Sequence, residues 1–309
     1  MLQKIWKIAK TILFVSLLCG TILLLTKVLM PKIPDFYKEE EWDVVFFGTS
    51  QSYCTFDPAV FDEYELKTYN RGRSQQTMNY TYYYVKDALE VSQIDVVVLE
   101  IYGMVYEEGN PCFLEAGVRD SSMNDFRASE IKLEAVKDCV PEDLWLGYML
   151  PLDKYHTNWE NMDYTSPETL WNDLANPYYT EESDRGYFRW ESAQPSGYAA
   201  WESIFDDRRE EVFEENMKYL EGIYELCREH GARLVLVRAP FPSNEMTVAV
   251  SYTIEDWAVA HDVELINYMK ITDVIGMDFS TDSLDGGTHL NASGAAKVSR
   301  YLAEYLVEE

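Results

Sequence analysis

Two short stretches at opposite ends of the chain hold residues with chemical potential. The first runs D-V-V-F-F-G-T-S from Asp43 to Ser50: an apolar run reaches a Gly and turns at once into small polar residues. A Ser hydroxyl is a poor nucleophile until a base takes its proton and donors stabilise the oxyanion. A tight turn at the end of a buried strand exposes the hydroxyl and leaves backbone N–H groups at the same spot, and Gly48 permits that turn. The plainer reading of the tripeptide alone is a turn with Ser50 as an N-cap. The second stretch, T-D-S-L-D-G-G-T-H-L-N, places His289 in a Gly-rich loop, with Asp282 and Asp285 before it and Asn291 or Ser293 starting the last helix. An Asp beside a His fixes its tautomer and stabilises the imidazolium, and that His then serves a Ser as base. The competing reading is a surface loop His with acidic neighbours.

The elements that must bring these stretches together are legible as alternating runs. Short β-type runs occur at Val44–Phe47, Lys67–Asn70, Val96–Ile101, Leu234–Val237 and Val263–Ile266, with helix-like stretches such as Gln75–Val91 and Glu210–His230 between them. Strands without clean alternation, separated by helices, predict a parallel sheet covered on both faces. Ligands of such sheets lie beyond the carboxyl ends of the strands, where Ser50 falls. From Tyr102 to Phe205 the rhythm breaks into a stretch rich in Tyr, Trp, acids and Pro. It reads as a large, partly helical insertion capping the site, since structureless loops of that length are uncommon.

Lys4, Lys7 and Lys10 precede an apolar run from Thr11 to Met30. About 20 apolar residues span a bilayer core, and the Lys cluster predicts a cytoplasmic N-terminus. L-T-K-V-L-M-P-K is not a small-residue cleavage site, so residues 1–33 read as a cytoplasmic tip and uncleaved anchor, with 34–309 outside the membrane. Five of the 26 basic residues and no acids fall in the first thirty-two positions, leaving 21 basic against 54 acidic residues beyond them, a net of −33. That charge repels polyanions and argues against a nucleic-acid role. Cys54, Cys112, Cys139 and Cys227 show no CxxC and no metal spacing, so no metal or cofactor is expected. Both disulfides and free thiols stay open.

Together the motifs resemble the SGNH/GDSL hydrolase superfamily, and most closely a membrane-anchored bacterial branch with F-G-T-S-x-S-Y near its N-terminus and D-G-G-x-H-L-N-x-x-G-A-x-K near its C-terminus. The likeness extends more distantly to extracytoplasmic proteins that act with membrane-bound O-acyltransferases in teichoic-acid D-alanylation and alginate acetylation. It implies a flavodoxin-like three-layer α/β/α SGNH fold with a five-stranded parallel sheet behind one transmembrane helix. It also implies a serine esterase or acyltransferase acting on O-acyl groups of cell-wall or exported polysaccharide at a bacterial cell membrane. Ser50 matches the family nucleophile, His289 the base, and Gly72 in Y-N-R-G-R-S the block-two Gly of the oxyanion hole, shared with the Ser50 N–H. This sequence departs from the family in two places. Asp285 stands four residues before His289 instead of three, with Asp282 as the other candidate. The third block lacks its Asn: Glu100 or Tyr102 occupies that position, and an ionised acid cannot donate to an oxyanion.

Several other residues are candidates around the site. Gln51 follows the nucleophile and is a further donor. His156, in D-K-Y-H-T-N-W, matches a His-Trp element of the branch; it lines the pocket, binds acceptor, or packs between Tyr155 and Trp159. Arg238, in R-A-P-F-P-S, contacts a substrate oxygen or, by default, pairs with Glu100. The Tyr and Trp residues of the insertion stack sugar rings or simply pack. His230 and His261 end helices and carry no role, and the Asn79 and Asn291 sequons have no meaning in a bacterial protein. The rival expectation is a catalytically inactive, glycan-binding or assembly protein working with a membrane-bound O-acyltransferase. A phosphate-binding protein is disfavoured because no Gly-x-x-x-x-Gly-Lys motif occurs.

Overall fold

The computed structural model of the protein describes residues 2–29, 31–106, 115–150, 154–155, 179–180, 184–194, 208–241, 245–286 and 288–308. Five parallel strands form the sheet: β1 (Glu41–Phe47), β2 (Thr68–Asn70), β3 (Gln93–Glu100), β4 (Arg233–Arg238) and β5 (Glu264–Asn267). Their spatial order is β2-β1-β3-β4-β5, the order of a doubly wound sheet. Val44 pairs with Thr68 on one side and Val96 on the other, Glu100 pairs with Val237, and Val235 pairs with Glu264. Ile33–Pro34 makes a separate two-residue parallel pairing with Tyr179–Thr180.

The strands lack an apolar–polar alternation because both faces are covered. Val45, Phe47, Val97, Leu99 and Leu236 point into one core, while Val44, Phe46, Val98, Val235 and Val237 point into the other. The first core is closed by α4 (Met78–Val91), α8 (Glu214–His230) and α9 (Glu245–His261). In α4 the buried residues Tyr80, Tyr84, Val85, Ala88 and Leu89 recur at helical spacing and form one stripe. The second core is closed by α3 (Pro58–Asp62) and α10 (Ala292–Glu308). There Phe46 stacks on Phe56 at 4.6 Å and tilts against Phe61 at 5.0 Å. Phe46→Ala would cost about 3–5 kcal/mol and loosen the turn that follows β1.

Between residues 102 and 205 the described part contains α5 (Ala116–Asn124), α6 (Glu130–Cys139) and α7 (Trp145–Met149). Met123, Phe126, Ala135 and Val136 from this region are buried in the first core, alongside α4 and β1. A strap at residues 184–194 crosses the carboxyl ends of the strands. The Asn70 N–H donates to the Arg185 carbonyl at 2.9 Å, the Phe188 N–H to the Tyr53 carbonyl at 2.8 Å, and the Ala292 N–H to the Trp190 carbonyl at 2.8 Å.

α1 (Leu2–Leu29) stands apart from this body. Its span Gln3–Leu24 has a mean hydropathy of 1.9 and none of it is buried, so it is long and apolar enough to cross a membrane. Among the described residues Cys19, Cys54, Cys139 and Cys227 are free thiols. Cys112 lies outside the described residues.

Candidate active site

The turn after β1 is shaped by what lies behind it. Gly48 has a φ of +136°, and a Cβ there would fall 2.9 Å from both the Cβ and the carbonyl oxygen of Glu100. Only Gly fits, and the chain can pass directly over the end of β3. Thr49 then caps the short helix α2 (Ser50–Tyr53), its Oγ1 accepting from the Gln51 N–H at 3.1 Å. The cap is therefore Thr49, and Ser50 is the first helical residue with its hydroxyl free to face outward.

That hydroxyl meets the far end of the chain. Ser50 Oγ lies 2.8 Å from His289 Nε2, and His289 Nδ1 lies 2.7 Å from Asp285 Oδ2. The loop holds its acid firmly: Asp285 Oδ1 accepts from the Thr288 N–H at 2.9 Å and the His289 N–H at 3.0 Å, and the Thr288 hydroxyl donates to Oδ2. Burial pushes the Asp285 carboxyl up, but these hydrogen bonds outweigh it and hold the group well below the usual carboxylate range. The acid is thus ionised wherever the imidazole could act as a base.

Asp282 does different work. It is buried, and accepts from Lys297 Nζ at 2.6 Å, Ser293 Oγ at 2.8 Å and the Asp278 N–H at 2.8 Å. It ties the loop to the start of α10. The cap of α10 is Asn291, whose Oδ1 accepts from the N–H groups of Ser293 and Gly294, each at 3.1 Å.

The expected oxyanion and pocket residues have specific partners. Gly72 follows β2, and a Cβ there would come within 2.9 Å of Ser52 Cβ. Its N–H donates to Asn70 Oδ1 at 3.0 Å and so points at that side chain. The Gln51 side-chain amide donates to the Thr288 carbonyl, pinning the His loop to α2. Glu100 is buried under the turn, accepting from the Tyr102 N–H at 3.0 Å and from Thr49 Oγ1 at 3.3 Å. Burial raises its carboxyl to about 7, against the opposing pull of Arg238 and its hydrogen bonds. Arg238 is buried with Glu100 as its charge partner; its guanidinium lies 5.1 Å from the Phe241 ring centroid, and burial lowers it to about 10. Tyr102 packs edge-on against the same ring at 5.3 Å. Glu100 and Arg238 therefore buttress the turn from beneath. His156 lies outside the described residues.

A cleft of about 500 Å³ opens between Tyr53 at the end of α2, the Gly72–Ser74 turn and the strap, walled by Tyr53, Arg73, Ser74, Asn124, Tyr187 and Phe188. Tyr187 falls among the insertion aromatics offered from the sequence, whereas Tyr53, Arg73, Ser74, Asn124 and Phe188 were not read as site-forming. The one available signal for the strap is Gly186, whose Cβ would collide with the Asn70 carbonyl oxygen, so the strand end and the strap are packed backbone to backbone. Among the described residues no group of three or more His, Cys, Asp and Glu is poised for a metal. A hydrogen-bonded Ser–His–Asp chain has the parts for nucleophilic acyl chemistry: a hydroxyl, a base oriented toward it, and a fixed anion behind the base. No protein-family model matches the chain, and no curated protein matches it.

Proposed function

We propose that the protein is a membrane-anchored, SGNH-like serine esterase or O-acyltransferase. The observation that carries this reading is the unbroken chain Ser50 Oγ–His289 Nε2, His289 Nδ1–Asp285 Oδ2, at 2.8 and 2.7 Å. Ser50 Oγ attacks an ester carbonyl while His289 Nε2 takes its proton. His289 then returns the proton to the leaving oxygen, and Asp285 stabilises the imidazolium throughout. Water or an acceptor hydroxyl resolves the acyl-enzyme by the same route in reverse. The substrate proposed is an O-acyl group on a cell-wall or exported polysaccharide, handled on the outer side of a bacterial cell membrane with α1 as anchor. A membrane-bound O-acyltransferase is the proposed donor partner. Loss of polymer acylation on deletion of the protein would support that partner, and unchanged acylation would remove it.

A second reading is favoured by one specific observation. The Gly72 N–H is engaged by Asn70, and where the block-three Asn would stand both carboxyl oxygens of Glu100 accept hydrogen bonds beneath the turn, from Thr49 Oγ1 and the Tyr102 N–H. A catalytically inactive, glycan-binding or assembly protein on the same scaffold accommodates both facts.

Intact-mass analysis of the full-length chain in detergent, after incubation with a fluorophosphonate, separates the two. One adduct on Ser50, absent from Ser50→Ala and His289→Ala, is the outcome expected for the enzyme. No adduct on a folded wild-type protein would overturn it in favour of the binding protein.

A further inference from the structure

Attack by Ser50 on an ester leaves a full negative charge on the former carbonyl oxygen, which requires donors about 3 Å away. The backbone supplies few here. The Gly72 N–H is turned to Asn70, the Gln51 N–H to Thr49, and Glu100 accepts hydrogen bonds beneath the turn. The Ser50 N–H needs a companion.

Tyr53 stands one turn along α2 from Ser50. The residue forms part of the cleft wall together with Gly72, Arg73 and Ser74, and the hydroxyls of Ser74 and Ser50 act on its phenol, pulling its pKa down against burial. Its ring is held edge-on by Phe188 at 6.2 Å, and its carbonyl accepts from the Phe188 N–H, so the strap fixes the phenol in place. The neighbouring cation, Arg73, is occupied by the carboxylate of Asp125 and the Gly72 carbonyl. Burial raises the pKa of the phenol, which therefore keeps its proton at neutral pH and is available as a donor.

We propose that the Tyr53 hydroxyl is the side-chain donor of the oxyanion hole, taking the place of the missing block-three Asn; this rests on the serine-hydrolase reading above. As the Ser50 Oγ–carbon bond forms, the Ser proton passes to His289 Nε2 and the carbonyl π pair moves onto oxygen. Tyr53 donates a hydrogen bond to that oxygen without losing its proton. Collapse of the intermediate expels the leaving oxygen, which takes the proton from His289.

The test is the second-order rate of fluorophosphonate labelling of the full-length chain in detergent, for wild type, Tyr53→Phe and the remote control Tyr64→Phe. Tyr53→Phe keeps the ring and its packing on Phe188. Its rate should fall about 100-fold, the usual loss for one oxyanion donor, with Tyr64→Phe, which removes an exposed phenol bonded to Glu304 away from the site, within threefold of wild type. A second variant carries 3,5-difluorotyrosine at position 53, whose more acidic phenol ionises earlier. The alkaline fall in labelling should move to lower pH in that protein. A Tyr53→Phe rate within twofold of wild type, or an unmoved alkaline limb, overturns the Tyr53 assignment alone. Absence of any labelling of wild type overturns the assignment together with the hydrolase reading.

Discussion

The side-chain amide of Gln51 donates to the carbonyl of Thr288, a residue 237 positions further along the chain. Thr288 in turn gives both its N–H and its hydroxyl to Asp285. One glutamine thus sets the distance between the helix bearing Ser50 and the loop bearing His289. Gln51→Ala should leave the fold intact and slow fluorophosphonate labelling about tenfold, because small misplacements of a base are expensive in rate. Gln51→Glu, which faces the Thr288 carbonyl with an acceptor, should be slower still. Labelling at the wild-type rate in both variants would show that the loop holds its position without the glutamine.

Asp285 and Asp282 should separate cleanly by substitution. Asp285→Asn leaves His289 without its anion and should cut labelling by about 1,000-fold or more, with little change in the unfolding midpoint because the group is part-exposed. Asp282→Asn breaks a buried ion pair with Lys297 and should cost about 3 kcal/mol of stability. At temperatures where that variant stays folded it should keep most of its labelling rate. Denaturant unfolding and labelling kinetics on both proteins check the two halves.

Glu100 predicts a pH dependence of stability. Its carboxyl has an ordinary value of 4.5 and is raised by burial to about 7 in the fold. The folded state therefore holds an extra proton between those two values. The stabilisation is fully present below pH 4.5 and is lost as pH rises through about 7, an amount of about 3 kcal/mol. Glu100→Gln should remove that loss. Urea unfolding at pH 4.5 and pH 8 should show a drop in wild type that exceeds the drop in Glu100→Gln by that margin. Parallel profiles in the two proteins would mean that Arg238 keeps Glu100 ionised throughout.

Among the described side chains of the apolar helix α1, none belongs to either core. Removing residues 1–32 should release the protein from the membrane fraction, and leave its melting temperature within about 2 °C of the full-length chain in detergent. A large fall would reveal a structural dependence on the anchor.

All five strands were readable from sequence as short apolar runs; in β1, β3 and β4 the carboxyl half is buried on both faces, as in Val44–Phe47 or Leu234–Val237, while β5 at the sheet edge is only partly buried. The beginnings of β1 and β3 were not. β1 starts at Glu41 and β3 at Gln93, where exposed residues alternate with Trp42 and Ile94 and no run exists to be seen. α8 begins at Glu214, four residues after the expected Glu210, and α4 at Met78 instead of Gln75. Ser50, His289 and Asp285 could be named because a strand-end Gly and a Gly-rich loop are local signals. Tyr53 and the strap carrying Phe188 could not, since their role comes from which segments cross above the sheet. The partners of Gly72 were hidden for the same reason: Asn70 lies two residues away in sequence, yet its side chain turns back onto the Gly72 N–H only because Ser52 holds it there.

Ser50 and His289, the proposed nucleophile and base, are separated by 239 residues. A chain growing from its N-terminus presents the serine early, as an inert alcohol, through nearly the whole of its synthesis. On the proposed reading reactivity is switched on once, when the loop carrying Thr288 and His289 docks against α2. Any product cut short before His289 is chemically silent, so premature fragments inserted in a membrane cannot attack the esters around them.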